Sequence, residues 1–291
     1  MKTRLKILVT GSNGFIGGKI VDALAAADHE VVRLQRRREP GVTQCDLLNS
    51  EETETVLGEL DAVDALVHTA AMAHGQRPPK GYDADSVNVQ MTENLINGIQ
   101  GTAVGKVVFL SSVSVYGLAS FSYPVALRKN PEPVTKYGKG KLACEKLFFS
   151  DSFKEAHTLR LPPVYDESHL ADIRKRVVFP GTRKIKMRIF PPPKYSLLHV
   201  SNLVDYVSNL MTLGNDGHWL HHLSDPTPYS QRKVSEWFDG IHLTVPVFLT
   251  RPFYATTGLL PSRMKQRLRE SYAKLFQTTV FKSGKIRIDE E

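Results

Sequence analysis

VTGSNGFIGGKIV, residues 9–21, sets Gly11, Gly14 and Gly17 between an apolar run and a helical pattern. A phosphate that approaches the N–H groups at a helix N-terminus needs bare backbone beside it, because side chains on the turn would block the approach. The spacing G-x-x-G-x-x-G differs from the simpler G-x-G-x-x-G dinucleotide turn, and three glycines alone also fit a tight structural turn. Here the triplet follows a strand pattern, LKILVT at 5–10, and opens a helix with Ile20, Val21, Leu24 and Ala25 at helical spacing. In that context the turn reads as dinucleotide-binding. Gly11, Asn13, Gly14, Phe15, Ile16 and Gly17 are its candidate cofactor contacts.

Further strand patterns follow in HEVVRL (29–34), DALVHTA (64–70) and GKVVFLSS (105–112), with helical patterns at 51–60 and 86–100 between them. Apolar strands alternating with helices predict a parallel sheet covered on both faces, a doubly wound α/β Rossmann domain. After about residue 160 the alternation breaks, and prolines cluster in LPPVY and FPPPKY. The expected organisation is an NAD(P)-binding domain over 1–165 and a small C-terminal substrate-binding region over 166–291. Within the latter, LLHVSNLVDYVSNLM (197–211) reads as a strand and helix returning to the main domain.

An apolar fraction of 41% and a charged fraction of 23% suit a soluble, packed chain. Cys45 and Cys144 match no metal-ligand spacing, so a reducing compartment with no disulfide framework and no metal site is expected. LKILVT runs at once into the glycine turn and is too short for a signal peptide, which predicts a cytoplasmic location. The net charge of +8 admits nucleic acid or a membrane surface, and equally a ligand with several phosphates. Much of the excess sits in RRR (36–38), RKIKMR (183–188) and RMKQRLR (263–269). No aromatic residues interleave these clusters, which argues against nucleic acid. LTVPVFLTRPFYATTGLL (243–260) is the most apolar late stretch, but Arg251 and two prolines argue against a membrane span. A buried helix pair is expected there, with a membrane-touching pair as the alternative.

TGSNGFIG (10–17) resembles the TGxxGFIG turn of the extended short-chain dehydrogenase/reductases, the NAD-dependent epimerase/dehydratase family of nucleotide-sugar enzymes. CDL (45–47) resembles the acidic-leucine pair that family members place against adenine, which implies that role for Asp46 and Leu47. VHTAA (67–71) resembles their strand end beside the cofactor, implying Thr69, Ala70 and Ala71 as contacts. NVQMTENLI (88–96) resembles their NVxGTxNLL helix and adds Asn88. LRLPPVYD (159–166) resembles their LRxxxVYG segment, which implies that Pro163 and Val164 meet the nicotinamide amide. The resemblance covers residues 5 to about 211. It implies a nucleotide-sugar substrate and a homodimer packed through helices of the large domain.

The end of the second strand, VVRLQRRRE (31–39), bears on the choice of cofactor. An acidic residue there would bond the ribose 2′-hydroxyl of NAD. This chain has Gln35 followed by Arg36, Arg37 and Arg38. Guanidinium groups pair with a 2′-phosphate that a carboxylate would repel. NADP is therefore the preferred cofactor, with Arg36 first and Arg37 second as its partners. NAD stays open, since a charge run at a strand end can simply be solvated.

YGKGKLACEKLFF (137–149) puts Tyr137 and Lys141 four residues apart, on one helix face. A nearby ammonium, helped by an oxidised nicotinamide, stabilises a phenolate and lowers the tyrosine pKa, so Tyr137 can exchange a proton with a substrate oxygen. In the family resembled, the catalytic Ser or Thr lies four residues before the tyrosine of VYG. That implies Ser112 as the donor to the substrate oxygen, and Lys141 as a contact of the nicotinamide ribose.

Dehydratases of that family carry an Asp-Glu pair directly after the catalytic Ser or Thr, where this chain has Val113 and Ser114. The GDP-fucose synthase branch carries a cysteine at the position of Ser114. Both chemistries are thus disfavoured, and His169 reads as an ordinary loop residue. Simple redox at a sugar carbon is left. One form is a 4-ketoreductase acting with NADPH on an NDP-4-keto-6-deoxy sugar, and the other is a 4-epimerase with retained NAD. The arginine run favours the reductase. A non-catalytic NADP-binding regulator on the same fold is the rival class, against which stands the joint presence of Ser112, Tyr137 and Lys141. The basic clusters at 174–176 and 183–188 are candidates for the substrate pyrophosphate, or for plain solvation. His221 and His222 are strand neighbours that point to opposite faces and make no metal pair.

Overall fold

The computed structural model describes residues 4–72, 77–83, 86–102, 104–117, 124–149, 153–182, 184–250 and 262–288. The first half alternates as its apolar periodicity requires: β1 (Lys6–Thr10), α1 (Phe15–Ala26), β2 (Glu30–Gln35), β3 (Thr43–Gln44), α2 (Ser50–Gly58), β4 (Ala65–His68), α3 (Ser86–Ile99), β5 (Lys106–Ser112), α4 (Lys136–Phe148) and β6 (Glu155–Leu161). Helix starts are set locally. Asn49 caps α2 by accepting from the Glu52 N–H at 3.2 Å, and Thr135 caps α4 by accepting from the Gly138 N–H at 2.9 Å. α1 has Gly14 at its N-cap and no side-chain cap, so its first N–H groups face outward without a side-chain acceptor.

The second half holds β7 (Val164–Tyr165), α5 (Ala171–Arg174), β8 (Ile185–Phe190), β9 (Lys194–Tyr195), β10 (Leu198–His199), α6 (Val200–Thr212), β11 (Gly217–His222), β12 (Tyr229–Ser230), α7 (Gln231–Ser235), β13 (Ile241–Pro246), α8 (Ser262–Phe276) and β14 (Gly284–Ile288). The main sheet runs β14-β11-β6-β5-β4-β1-β2-β3, parallel throughout except for β14 against β11. It therefore draws on 217–222 and 284–288 as well as on the strands before residue 165.

Alternation along the central strands splits the core into two layers. Ile7, Val9, Val67 and Val108 face α1 and α6, whose Leu24, Leu203 and Val207 are buried with them. Leu8, Leu66, Val107 and Phe109 face the other way, against Leu57, Leu95 and Phe148 of α2, α3 and α4. The strand order reverses between β1 and β4. In open α/β sheets the crevice outside the carboxyl ends at such a reversal is where ligands bind.

The stretch beginning at residue 243 departs from expectation. Residues 241–246 form β13, paired in parallel with β8, and 247–250 a single 3-10 turn, so the described part of 243–260 opens as a strand where a helix was expected. Ile241 is 75% exposed and Leu243 52% exposed. Packing explains the difference: Leu275 of α8 covers Met187 and Ile189, with Val245 against them, and leaves the other end of the ribbon bare. Residues 251–260 lie outside the described residues. No helix among the described residues is long and apolar enough to cross a membrane.

Candidate active site

Two chain turns meet at the strand reversal. Gly11 has φ 66°, which only glycine adopts without strain, and a Cβ there would lie 2.8 Å from the Ala70 backbone. A Cβ on Gly17 would lie 2.2 Å from the Gly11 carbonyl oxygen, so the helix can close on the turn only without one. The β4 end is tied down by Thr69, whose hydroxyl donates to the Thr10 carbonyl at 2.7 Å, and by the Ala70 N–H, which donates to Thr10 Oγ1 at 3.2 Å. Behind them, His68 bridges Thr10 Oγ1 at 2.8 Å and Thr92 Oγ1 at 3.2 Å. Burial, with Lys141 adding to it, pushes His68 down to about 3, so it is a neutral strut.

A cavity of about 770 Å³ opens on this turn. Gly11, Asn13, Gly14, Phe15, Ile16 and Gly17 line one part of it, and Thr69, Ala70 and Ala71 line another. Ser112, Tyr137 and Lys141 face the same space, as do Pro163 and Val164. Six other expected contacts are not in this wall. Gln35 is buried, accepts from Ser12 Oγ at 3.3 Å and donates to the Arg37 carbonyl at 3.1 Å. Arg36 and Arg37 are exposed just past the end of β2. Asp46 accepts from the Leu48 N–H at 3.2 Å, and the buried Leu47 gives its carbonyl to Asn94 at 2.8 Å. The Asn88 amide holds the chain after β4 through the N–H and carbonyl of Met72, at 2.7 and 3.3 Å.

The reacting groups are positioned by β5 and α4. Ser112 ends β5, its Oγ accepting from the Ser114 N–H at 3.1 Å and donating to Ser114 Oγ at 3.0 Å. α4 closes on that turn because residue 138 is glycine: a Cβ there would lie 2.5 Å from the Ser114 carbonyl oxygen. One turn on, Lys141 is 4% exposed, donates to the Leu110 carbonyl at 2.7 Å, and has its Nζ 4.8 Å from the Phe109 ring centre. Burial pushes this ammonium down to about 8, so it is still mostly charged at neutral pH.

The tyrosine differs from expectation. Burial pushes Tyr137 up to about 12, opposed by its hydrogen bond with Ser112. Desolvation of the phenolate, with the charges of Asp172 and Cys144 adding to it, outweighs the Ser112 hydrogen bond. The site thus presents a neutral phenol at pH 7, an acid aimed into the cavity.

Several residues of the cavity region carry no local sequence signal. His169 stacks on Phe15 with ring centres 3.8 Å apart and an interplanar angle of 15°. It also bonds Asp166 at 2.9 Å, and Asp166 pairs with Lys19 of α1 at 3.2 Å. The chain after β7 is thereby clasped to the first turns of α1, which the reading of His169 as an ordinary loop residue did not anticipate. Asp172 and Lys274 also face the cavity, brought there by α5 and by α8 from far along the chain, and so does Arg176, from the basic cluster at 174–176 already considered for a substrate pyrophosphate. Of the cluster at 183–188, Arg183 lies outside the described residues and Lys184, Lys186 and Arg188 do not line the cavity; Lys186 is buried and donates to the carbonyls of Ser235 and Phe238, at 3.1 and 2.7 Å. His221 and His222 do face opposite ways, His221 to His157 and Tyr206 and His222 to Tyr116.

An uncapped helix start, a turn closed to side chains and a Ser-Tyr-Lys group in one cavity suit a nicotinamide dinucleotide and a carbonyl or hydroxyl substrate. The turn would hold the pyrophosphate, and the far part of the cavity the nicotinamide.

Comparison with known proteins agrees with this construction. The N-acetyl-α-D-glucosaminyl-diphospho-ditrans,octacis-undecaprenol 4-epimerase of Escherichia coli O157:H7 is 28% identical over 60% of this chain and 49% of its own. The dTDP-6-deoxy-L-talose 4-dehydrogenase (NAD(P)(+)) of Kitasatospora kifunensis is 32% identical over 47% of this chain and 45% of its own. The chain thus spans about half the length of these two relatives. The UDP-glucose 4-epimerase of Vibrio cholerae is 27% identical over 73% of this chain and 71% of its own. Among solved structures, Bordetella bronchiseptica WbmH in complex with NAD+ superposes with a TM-score of 0.67, at 19% identity over 84% of this chain and 86% of that one. At that identity the likeness is one of fold. The profile of the NAD dependent epimerase/dehydratase family matches residues 7–218, and the chain belongs to that family.

Proposed function

We propose that the chain is an NADPH-dependent reductase that converts an NDP-4-keto-6-deoxy sugar to its 4-hydroxy product. The observation that carries this reading is Tyr137, a neutral phenol hydrogen-bonded to Ser112 in the cavity that also contains the glycine turn. When bound, the reduced nicotinamide supplies a hydride to the carbonyl carbon. Ser112 donates a hydrogen bond to the carbonyl oxygen, and Tyr137 Oη gives that oxygen its proton as the C=O π bond breaks. Lys141, still charged at neutral pH, stabilises the phenolate left behind until solvent returns the proton. Val113 and Ser114 supply no acid-base pair for loss of water, and the Ser112 hydroxyl, which donates to Ser114 Oγ, turns to the substrate oxygen in the complex.

NADPH is favoured because β2 ends in Gln35 and the exposed Arg36 and Arg37, without a carboxylate to repel a 2′-phosphate. Arg36→Asp is expected to weaken NADPH binding about 100-fold, from the loss of a charge-assisted pair and the added repulsion, and to spare NADH. Fluorescence titration of both cofactors checks it, and an unchanged preference would remove the assignment.

A second reading, a 4-epimerase with retained NAD, is favoured by the relatives named as 4-epimerases in Escherichia coli and Vibrio cholerae. Incubation with NADPH and UDP-, GDP- and dTDP-4-keto-6-deoxy sugars, and in parallel with the corresponding 4-hydroxy NDP-sugars without added NADPH, separates the two. Net oxidation of NADPH supports the reductase. Interconversion of 4-epimers of the 4-hydroxy sugars without net cofactor consumption supports the epimerase.

A further inference from the structure

The proposed mechanism leaves four charged side chains of the cavity without a task, Asp172, Arg176, Glu270 and Lys274, and the first, second and fourth form one cluster. Asp172 lies on α5, Arg176 just beyond its end and Lys274 in the last turn of α8, and all three face the cavity. Asp172 Oδ1 accepts from Lys274 Nζ at 3.0 Å and lies 3.5 Å from Lys175 Nζ, while Oδ2 lies 3.5 Å from Arg176 Nη2. Three cations therefore converge on one carboxylate. Two of the three separations are long for charge-assisted bonds, which favour about 2.7–2.9 Å. The carboxylate is a loose counter-ion and no bidentate partner.

Arg176 is the group left wanting. It is 7% exposed, its buried Nε has no hydrogen-bond partner among the described residues, and its Cζ lies 5.5 Å from the Tyr195 ring centre. A buried guanidinium with an open donor in a cavity wall is costly unless a ligand completes it. Burial works to raise the Asp172 pKa, but Arg176 and Lys274 outweigh it and hold the carboxyl well below its usual range, so the group is an anion at every working pH. Glu270, one turn before Lys274, faces the same space and accepts from Gln266 Nε2 at 3.0 Å.

We propose that Asp172 is a built-in counter-ion of an anion subsite, which yields Arg176 and Lys274 to the diphosphate group of the substrate. The inference rests on the nucleotide-sugar reading of the cavity. A diphosphate diester brings two negative charges and several acceptor oxygens, enough to fill the guanidinium fork and the ammonium together. Asp172 keeps the two cations apart and compensated before substrate arrives, and it competes with the substrate for them. Removing the competitor must therefore tighten binding, the opposite of what structural damage does.

Titration calorimetry of the full chain with UDP, dTDP and GDP, at two salt concentrations, tests this. For whichever diphosphate binds, Asp172→Asn is expected to lower Kd about tenfold, the effect of one nearby charge at an intermediate dielectric. Arg176→Met is expected to raise Kd by about tenfold or more and to flatten the salt dependence, and neither variant should change the Kd of NADPH. An Asp172→Asn variant that binds no tighter, or an Arg176→Met variant that binds equally well, overturns the counter-ion subsite and leaves the reductase reading standing. Wild-type chain that binds NADPH but none of the three diphosphates overturns both.

Discussion

Replacing Tyr137 by phenylalanine is expected to lower kcat by about 10²–10⁴-fold, the usual contribution of one positioned general acid. The ring stays, so the packing of α4 against the β5 turn stays, and cofactor Kd should change by less than about threefold. The size of the loss follows from the electrostatics of the site. Burial holds the phenol up to about 12, so it is fully protonated at neutral pH and still a far better acid than water. A substrate oxygen that gains hydride charge in this cavity has Ser112 to hydrogen-bond it and Tyr137 to protonate it. Without the phenol the alkoxide must take a proton from water. Stopped-flow measurement of NADPH oxidation on the substrate found active in the panel reads the effect directly. Turnover within a few-fold of wild type would show that another group is the acid, and the rival reading as a cofactor-binding regulator would gain.

The second large effect concerns stability. Glu145 continues the Tyr137–Lys141 face of α4 by one more turn, and it is wholly buried. Its carboxylate accepts from Arg160 Nη2 at 2.7 Å and from Arg160 Nε at 3.0 and 3.2 Å, and it also accepts from the Ser111 hydroxyl. Arg160, 4% exposed on β6, donates onward to Tyr116 Oη at 2.8 Å. Taking one partner from a buried pair leaves an uncompensated charge in the core and typically costs about 3–5 kcal/mol. Glu145→Leu is therefore expected to lower Tm by roughly 10 °C, at about 2–4 °C per kcal/mol for a chain of this order of size. The double variant Glu145→Leu with Arg160→Met should recover most of the loss, because it removes both charges and fills the space with apolar atoms. Thermal unfolding of the three proteins checks it. A single variant within about 1 kcal/mol of wild type would mean that the carboxylate is not what compensates Arg160.

These two residues mark how far the sequence could be read. Tyr137 and Lys141 are legible because helix geometry alone puts residues four apart on one face, and the β5 end with Ser112 follows from a resemblance in residue order. Glu145 lies on that same face, yet nothing in its neighbourhood says that its partner is Arg160, on a strand 15 residues later. The direction of the Tyr137 shift was likewise out of reach, since desolvation depends on what surrounds the ring. Proximity to Lys141 could be counted along the chain, but burial could not.

The late apolar stretch shows the same limit from the other side. Hydrophobicity at 243–260 suggested burial, whereas β13, which opens that stretch, pairs with β8 and leaves Leu243 largely exposed because α8 covers only one end of the ribbon. Composition reports what a segment would gain by burial, and only the arrangement of its neighbours decides whether it is buried.

What the sequence determined by itself is the glycine turn, the parallel doubly wound sheet and the Tyr-Lys face of α4. All three rest on local rules: backbone that must be bare, periods of two and 3.6, and side chains one turn apart. The tertiary structure alone decided the Glu145–Arg160 pair, the His169 clasp on Phe15, and the meeting of Asp172 with Lys274 across 102 positions. Each of these is a contact between segments whose separation carries no periodic signal, fixed by the packing of α4, α5 and α8 around one cavity.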